Sequence, residues 1–241
     1  MICLMGKQEE KYNIVTEAEN LHRAGNFAKA ETIYRKVLQG NPEHSEALRL
    51  LGLLAHQTGN SEQGINLILQ AINAQPENVE AHFNLGIIKL DHNLAGEAIG
   101  AFRAALSISP KNYACLVNLG NALVIAEDFS EAIKQSNLAL EIDPDNVEAL
   151  SNLGNALSKS GKLTDAMSIL RRTVLLRPND SQLFNNLGII EQTIGLIESA
   201  NHTYEEALRI NPQCHRAERN LLINILNIPN QKSDSLFEVH L

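Results

Sequence analysis

Five asparagines stand at successive 34-residue steps along this 241-residue chain: Asn84, Asn118, Asn152, Asn186 and Asn220. A carboxamide offers two donors and an acceptor with two lone pairs. It can therefore grip one peptide group through N–H and C=O at once, whatever side chains the ligand carries. Asparagine is a mediocre helix former, so five in register need a reason other than helix propensity. One residue earlier in the same frame stand Phe83, Val117, Ser151 and Asn185, and three residues later stand Ile87, Asn121, Asn155 and Ile189. The chemistry these residues offer is recognition, without proton or group transfer.

The remaining reactive residues form no catalytic pattern. His22 and His56 are also 34 apart, but no carboxylate or third histidine shares their row, and even a catalytic zinc takes three protein ligands. Cys214 and His215 are sequence neighbours, which do not face each other on a helix. There is no glycine-rich phosphate loop, HExxH, GxSxG or paired-cysteine motif. The acidic residues fall where helix exteriors and turns account for them. The expectation is a chain with no catalytic residue, metal or cofactor.

The elements that position the asparagines are set by six prolines, Pro42, Pro76, Pro110, Pro144, Pro178 and Pro212, on the same 34-residue ruler. A fixed period of this length marks a stacked repeat, in which no unit buries its apolar face alone. The units are 11–44, 45–78, 79–112, 113–146, 147–180 and 181–214, after a tail over 1–10. Places seven and eight carry Leu51-Gly52, Leu85-Gly86, Leu119-Gly120, Leu153-Gly154 and Leu187-Gly188; the first unit has Glu17-Ala18. Place twenty is always small: Ala30, Gly64, Ala98, Ala132, Ala166, Ala200. Place twenty-seven holds Val37, Ala71, Ala105, Ala139, Thr173 and Ala207. Small residues at fixed helical places let two helices approach closely. Apolar spacings of three and four, as in Leu116, Leu119 and Leu123, are helical. The pattern predicts an all-α chain with two helices per unit, at about places 2–14 and 17–30. Glycines 25, 59, 161 and 195 suit the turn between them. Asn93 and Glu127 stand there in units three and four.

Length alone allows one or two globular domains, whereas the unbroken phase argues for one elongated solenoid. The net charge of −8 is spread over interspersed acids and bases, which excludes the electrostatic footprint of nucleic-acid binding. Nothing approaches a membrane span, and Met1-Ile2-Cys3-Leu4-Met5 is too short for the apolar region of a signal peptide. Three cysteines, Cys3, Cys115 and Cys214, lack metal or redox spacing and read as free thiols in a reducing compartment, the cytosol.

The phased Leu-Gly, small residues and proline resemble the tetratricopeptide repeat family over about 11–214. The family's large aromatic at place four is replaced by Ile14, Leu48, His82, Leu116, Leu150 and Phe184. The resemblance implies a right-handed superhelix of six helix pairs plus a capping helix, with the first helices lining its concave surface. Place six then forms a column inside. The expected peptide-binding residues are Asn84, Asn118, Asn152, Asn186 and Asn220, with Asn121, Asn155, Phe83 and Asn185 beside them. Helices packed about 8–10 Å apart meet an extended chain rising about 3.3 Å per residue at every third residue. The competing reading is that the asparagines bond to adjacent repeats and hold the stack together. A two-carboxylate clamp is disfavoured, since inner places of units three to five carry Glu80, Asp91 and Glu148 with Lys159 the lone cation.

The repeated Asn-Leu-Gly-Asn-Ala-Leu at 118–123 and 152–157 also resembles the repeats of O-linked N-acetylglucosamine transferases and their bacterial relatives. That resemblance implies a second expectation, the substrate-recruiting arm of a glycosyltransferase whose catalytic part lies outside this chain. Residues 215–241 read as a capping helix and the start of a further segment. Leu221, Leu222, Ile223, Ile225, Leu226 and Ile228 are more apolar than one buried face needs. The C-terminal edge is therefore expected to dock a second copy or a further domain.

Overall fold

The computed structural model describes residues 14–227, which form thirteen helices and, among the described residues, no strand. Helix α1 covers residues 14–23. It is followed by α2 (Phe27–Gly40), α3 (Ser45–Gln57), α4 (Ser61–Ala74), α5 (Val79–Asp91), α6 (Ala95–Ile108) and α7 (Tyr113–Ile125). Then come α8 (Phe129–Ile142), α9 (Val147–Lys159), α10 (Leu163–Leu176), α11 (Ser181–Thr193), α12 (Ile197–Ile210) and α13 (His215–Asn227). The expectations for residues 1–13 and 228–241, including Cys3 and Ile228, lie outside the described residues.

The second helix of every repeat spans places 17–30, as its periodicity predicts. From the second repeat on, the first helices run over places 1–13, one residue earlier at both ends than expected. Capping explains the early start. The last residue of the preceding unit accepts from a first-turn N–H: Asn78 from Ala81, Asn112 from Cys115, Asn146 from Ala149 and Asp180 from Gln182. The early stop follows from the turn. Place fifteen takes a left-handed conformation in all six units, including Asn93 (φ 59°) and Glu127 (φ 61°). Glu127 adopts a backbone that disfavours L-residues by roughly 1–2 kcal/mol, so the register of the stack overrides the local preference. Each second helix ends where the residue before the proline turns extended, as at Asn41 (φ −151°) and Asp143 (φ −131°).

The chain divides into two compact units, 1–127 and 128–241, with the division between the two helices of the fourth repeat. In the first unit each helix packs on its chain neighbours, and the first helices also touch one another, α3 on α5 and α5 on α7. The second unit repeats the scheme, with α11 on α13. Place-eight glycines face place twenty-four of their own repeat. Gly86 lies under the Phe102 ring, Gly188 under Tyr204 and Gly154 under Leu170. Three repeats carry a fully buried aromatic at place twenty-four: Tyr34, Phe102 and Tyr204.

Candidate functional site

In the first unit α1, α3 and α5 border an open recess of about 750 Å³. Its walls include Glu19, His22 and Arg23 from α1, Arg49, Leu53 and Gln57 from α3, and Glu80 from α5. These are helix places two, five, nine, twelve and thirteen, and Leu50 at place six lines the same recess. Gly25 of the first turn and Phe27 of α2 complete the lining.

Arg49 is only 8 % exposed. It donates Nε–H to Glu46 Oε2 at 2.9 Å and Nη2–H to Glu46 Oε1. Burial works to lower its pKa, but the hydrogen bond and charge of Glu46, with Glu80 and Glu19 behind them, raise it above the usual value. The guanidinium is thus a fixed cation in the wall. Fully buried Tyr34 on α2 has no partner for its hydroxyl among the described residues. Burial first, then the charge of Glu19, pushes its pKa up to about 12.

The place-six asparagines of the first unit differ from each other. Asn84 on α5 is 6 % exposed, and its Nδ2 is buried without a hydrogen-bond partner among the described residues. Such a group carries an unmet desolvation penalty of roughly 1–3 kcal/mol. Asn118 on α7 is half-buried and donates Nδ2–H to Ala114 O of its own helix at 2.9 Å. Phe83, half-buried beside Asn84, tilts against Phe102 with ring centroids 5.9 Å apart. Asn121 is exposed.

In the second unit, Asn185 on α11 is 1 % exposed and accepts from Nδ2–H of Asn220 on α13 at 3.2 Å. These two amides tie neighbouring first helices together. Asn152 on α9 is engaged as well. Asn152, Asn155 and Asn186 are half-buried. The carboxamides therefore split into stack-forming residues, Asn185 and Asn220, and Asn84 with a buried donor left over.

The histidines prove to be registry residues. His22 Nε2 lies 2.6 Å from Gln57 Oε1, and His56 Nε2 lies 2.9 Å from Asp91 Oδ2, each bridging to the next first helix. His56 Nδ1 also lies 2.9 Å from Ser61 Oγ. Ser61, His56 and Asp91 thus have the connectivity of a hydrolytic triad. The parallel bridge from His22, 35 residues from its partner as in His56–Asp91, shows that the shared role is inter-repeat alignment. Cys214 is buried and accepts a weak contact from Gln182 Nε2 at 3.6 Å, while exposed His215 turns to Glu218. No group of three or more His, Cys, Asp or Glu among the described residues could hold a metal ion. On α13, Leu222 and Ile223 are exposed and Leu226 is 81 % exposed.

Sequence reasoning missed the wall around Arg49, because a ladder search rewards identity between repeats and this site is built from differences. Place five is arginine only in the second unit, apart from Arg219 beyond the sixth. The missed signal was the pairing of Arg49 with Glu46 three residues before it on one helix.

Models of the tetratricopeptide repeat match residues 21–87 and 123–187, and a further one matches 181–214. The chain belongs to the tetratricopeptide repeat family. Among solved structures it is similar to PilF of Pseudomonas aeruginosa, at 14 % identity and TM-score 0.78, covering 90 % of this chain and 99 % of that one. PilW, a type IV pilus biogenesis factor, gives 17 % identity and TM-score 0.77, covering 88 % and 98 %. YrrB, a repeat protein with an unusual peptide-binding site, gives 21 % and 0.68, covering 78 % and 96 %. At these identities the likeness shows the fold. A search of curated proteins finds no match. None of these findings supports the resemblance to glycosyltransferase repeats.

Proposed function

We propose that this chain is a non-catalytic protein-interaction scaffold that binds an extended polypeptide on the first-helix face, with Asn84 as its main contact in the first unit. The observation that carries this is the buried, unpartnered Nδ2 of Asn84. A peptide carbonyl would supply the acceptor this donor lacks. The open recess bordered by α1, α3 and α5 supports the reading, and so does the peptide-binding site of the similarly folded YrrB. The cytosol suits Cys115 and Cys214, which are buried free thiols; burial pushes the Cys115 pKa up to about 12, leaving the thiol uncharged and inert. No described helix is long and apolar enough to cross a membrane.

The test is Asn84→Ala, probed with an array of randomised 12-residue peptides. The variant should bind the array peptides about five- to tenfold more weakly, the worth of one uncharged hydrogen bond. It should melt no earlier than the native chain, because it removes an unmet donor. Native binding with a much lower melting temperature would assign Asn84 to the stack instead. Asn220→Ala should do the reverse, losing about 1 kcal/mol of stability with the Asn185 bond.

A second contact surface rests on Leu222, Ile223 and Leu226, which α13 leaves in solvent. A second copy of the chain or a further domain docks there. Sedimentation should show concentration-dependent association that Leu226→Glu abolishes; a monomer at high concentration contradicts it.

A further inference from the structure

Arg49 lines the open recess with donors still unused. A guanidinium carries five N–H groups in a fixed planar fork. Glu46 takes the edge formed by Nε and Nη2, which turns the N–H groups of Nη1 away from that carboxylate. No described residue accepts from Nη1. The side chain is more than nine-tenths buried, so these donors are largely withdrawn from water and lack the acceptor that would compensate them.

The surrounding charge decides which acceptor fits. Glu46 cancels Arg49, Glu19 pairs with Arg23 at 2.7 Å, and Glu80 adds its field to Arg49 from the next first helix. The wall therefore offers N–H donors with no positive charge to spare. An incoming carboxylate or phosphate would face three glutamates, so the fitting acceptor is uncharged. Beside Arg49 the lining turns apolar, with Leu50 and Leu53 on α3 and Phe27 at the start of α2. Phe27 is 37 % exposed, and the His22 ring meets it edge to face with centroids 5.6 Å apart. Arg49 and Leu53 are four residues apart on one helix, so they share a face with Cβ atoms about 5–6 Å apart. An uncharged acceptor next to a large apolar group is what a single peptide residue presents, through its carbonyl and its side chain.

We propose that this recess seats a large apolar side chain of the bound polypeptide, aromatic or long aliphatic, while Arg49 Nη1 donates to the same residue's backbone carbonyl. This rests on the polypeptide-binding reading above and adds the class of side chain that is selected. Leu50, Leu53 and Phe27 pack the side chain, and Glu46 holds the guanidinium in place for the carbonyl. Acidic residues are rejected at this position, because Glu19, Glu46 and Glu80 surround it.

The array of randomised peptides, probed with the full chain, tests this directly. Bound peptides should be enriched several-fold in Phe, Tyr, Trp, Leu or Met at one position and depleted in Asp and Glu there. Leu53→Asn should lose that enrichment. The fold accommodates asparagine at this place, since Asn121 and Asn155 hold it in units four and five, and a melting curve checks that the variant is folded. Replacing the anchor residue of the strongest binder by alanine should weaken it about tenfold or more with the native protein, and little with Leu53→Asn. Arg49→Lys keeps a charge opposite Glu46 but loses the fork, and should weaken the strongest binder about five- to tenfold without changing which side chains are selected. No apolar preference, a preference that survives Leu53→Asn, or native affinity in Arg49→Lys overturns the proposal. Binding that depends on Asn84 without apolar preference would leave the scaffold reading standing and remove only this inference. No peptide bound at all would sink both.

Discussion

Gly188→Ala and Gly86→Ala will destabilise the chain by about 2–3 kcal/mol each, although alanine is the better helix former by about 1 kcal/mol. A methyl group at Gly86 would lie 2.5 Å from Cε1 of Phe102, and one at Gly188 the same distance from Cε1 of Tyr204. Neither ring can withdraw. Phe102 is fully buried, and Tyr204 is fully buried with its hydroxyl donating to Gln192 Oε1 at 2.8 Å. Gly154→Ala is the internal control. Its methyl would meet Leu170 Cδ2 at 3.0 Å, so a shift of only a few tenths of an ångström relieves the contact, and helix propensity should offset the strain. Urea denaturation of the three variants reads the order. A Gly188→Ala chain as stable as native would mean that the helix pair is looser than described.

Arg171→Ala will also cost stability, about 2 kcal/mol. Glu191 on α11 is 2 % exposed and accepts Thr203 Oγ1–H at 2.7 Å and Arg171 Nη2–H at 3.1 Å. Removing the arginine leaves a buried carboxylate with one neutral donor. Fully enclosed pairs lose roughly 3–5 kcal/mol when broken; the figure here is smaller because half of Arg171 lies in water. Adding Glu191→Gln should restore most of the loss, since the amide oxygen still accepts from Thr203 and no charge remains. If the double variant is no more stable than Arg171→Ala, the deficit comes from lost arginine packing instead.

The fold was readable because each rule behind it is local and repeated: proline stops, small residues at places twenty and twenty-seven, caps at the last place of a unit. The site was only partly readable. Periodicity placed Asn84 and Asn220 in one row, yet the structure gives them different roles, because an amide's role depends on what the next helix offers. Asn220 faces Asn185, whereas Asn84 follows a repeat with Leu50 in its own row. Place twenty-four was overlooked because Tyr34, Ile68, Phe102, Ser136, Leu170 and Tyr204 share no residue type across the six units.

A crystal structure of the full chain with the strongest peptide from the array tests the central claim most directly. The account predicts an extended peptide along α1, α3 and α5, with a backbone carbonyl within hydrogen-bond distance of Asn84 Nδ2. A peptide bound to the second helices instead, with the Asn84 amide still buried and unpartnered, would contradict it.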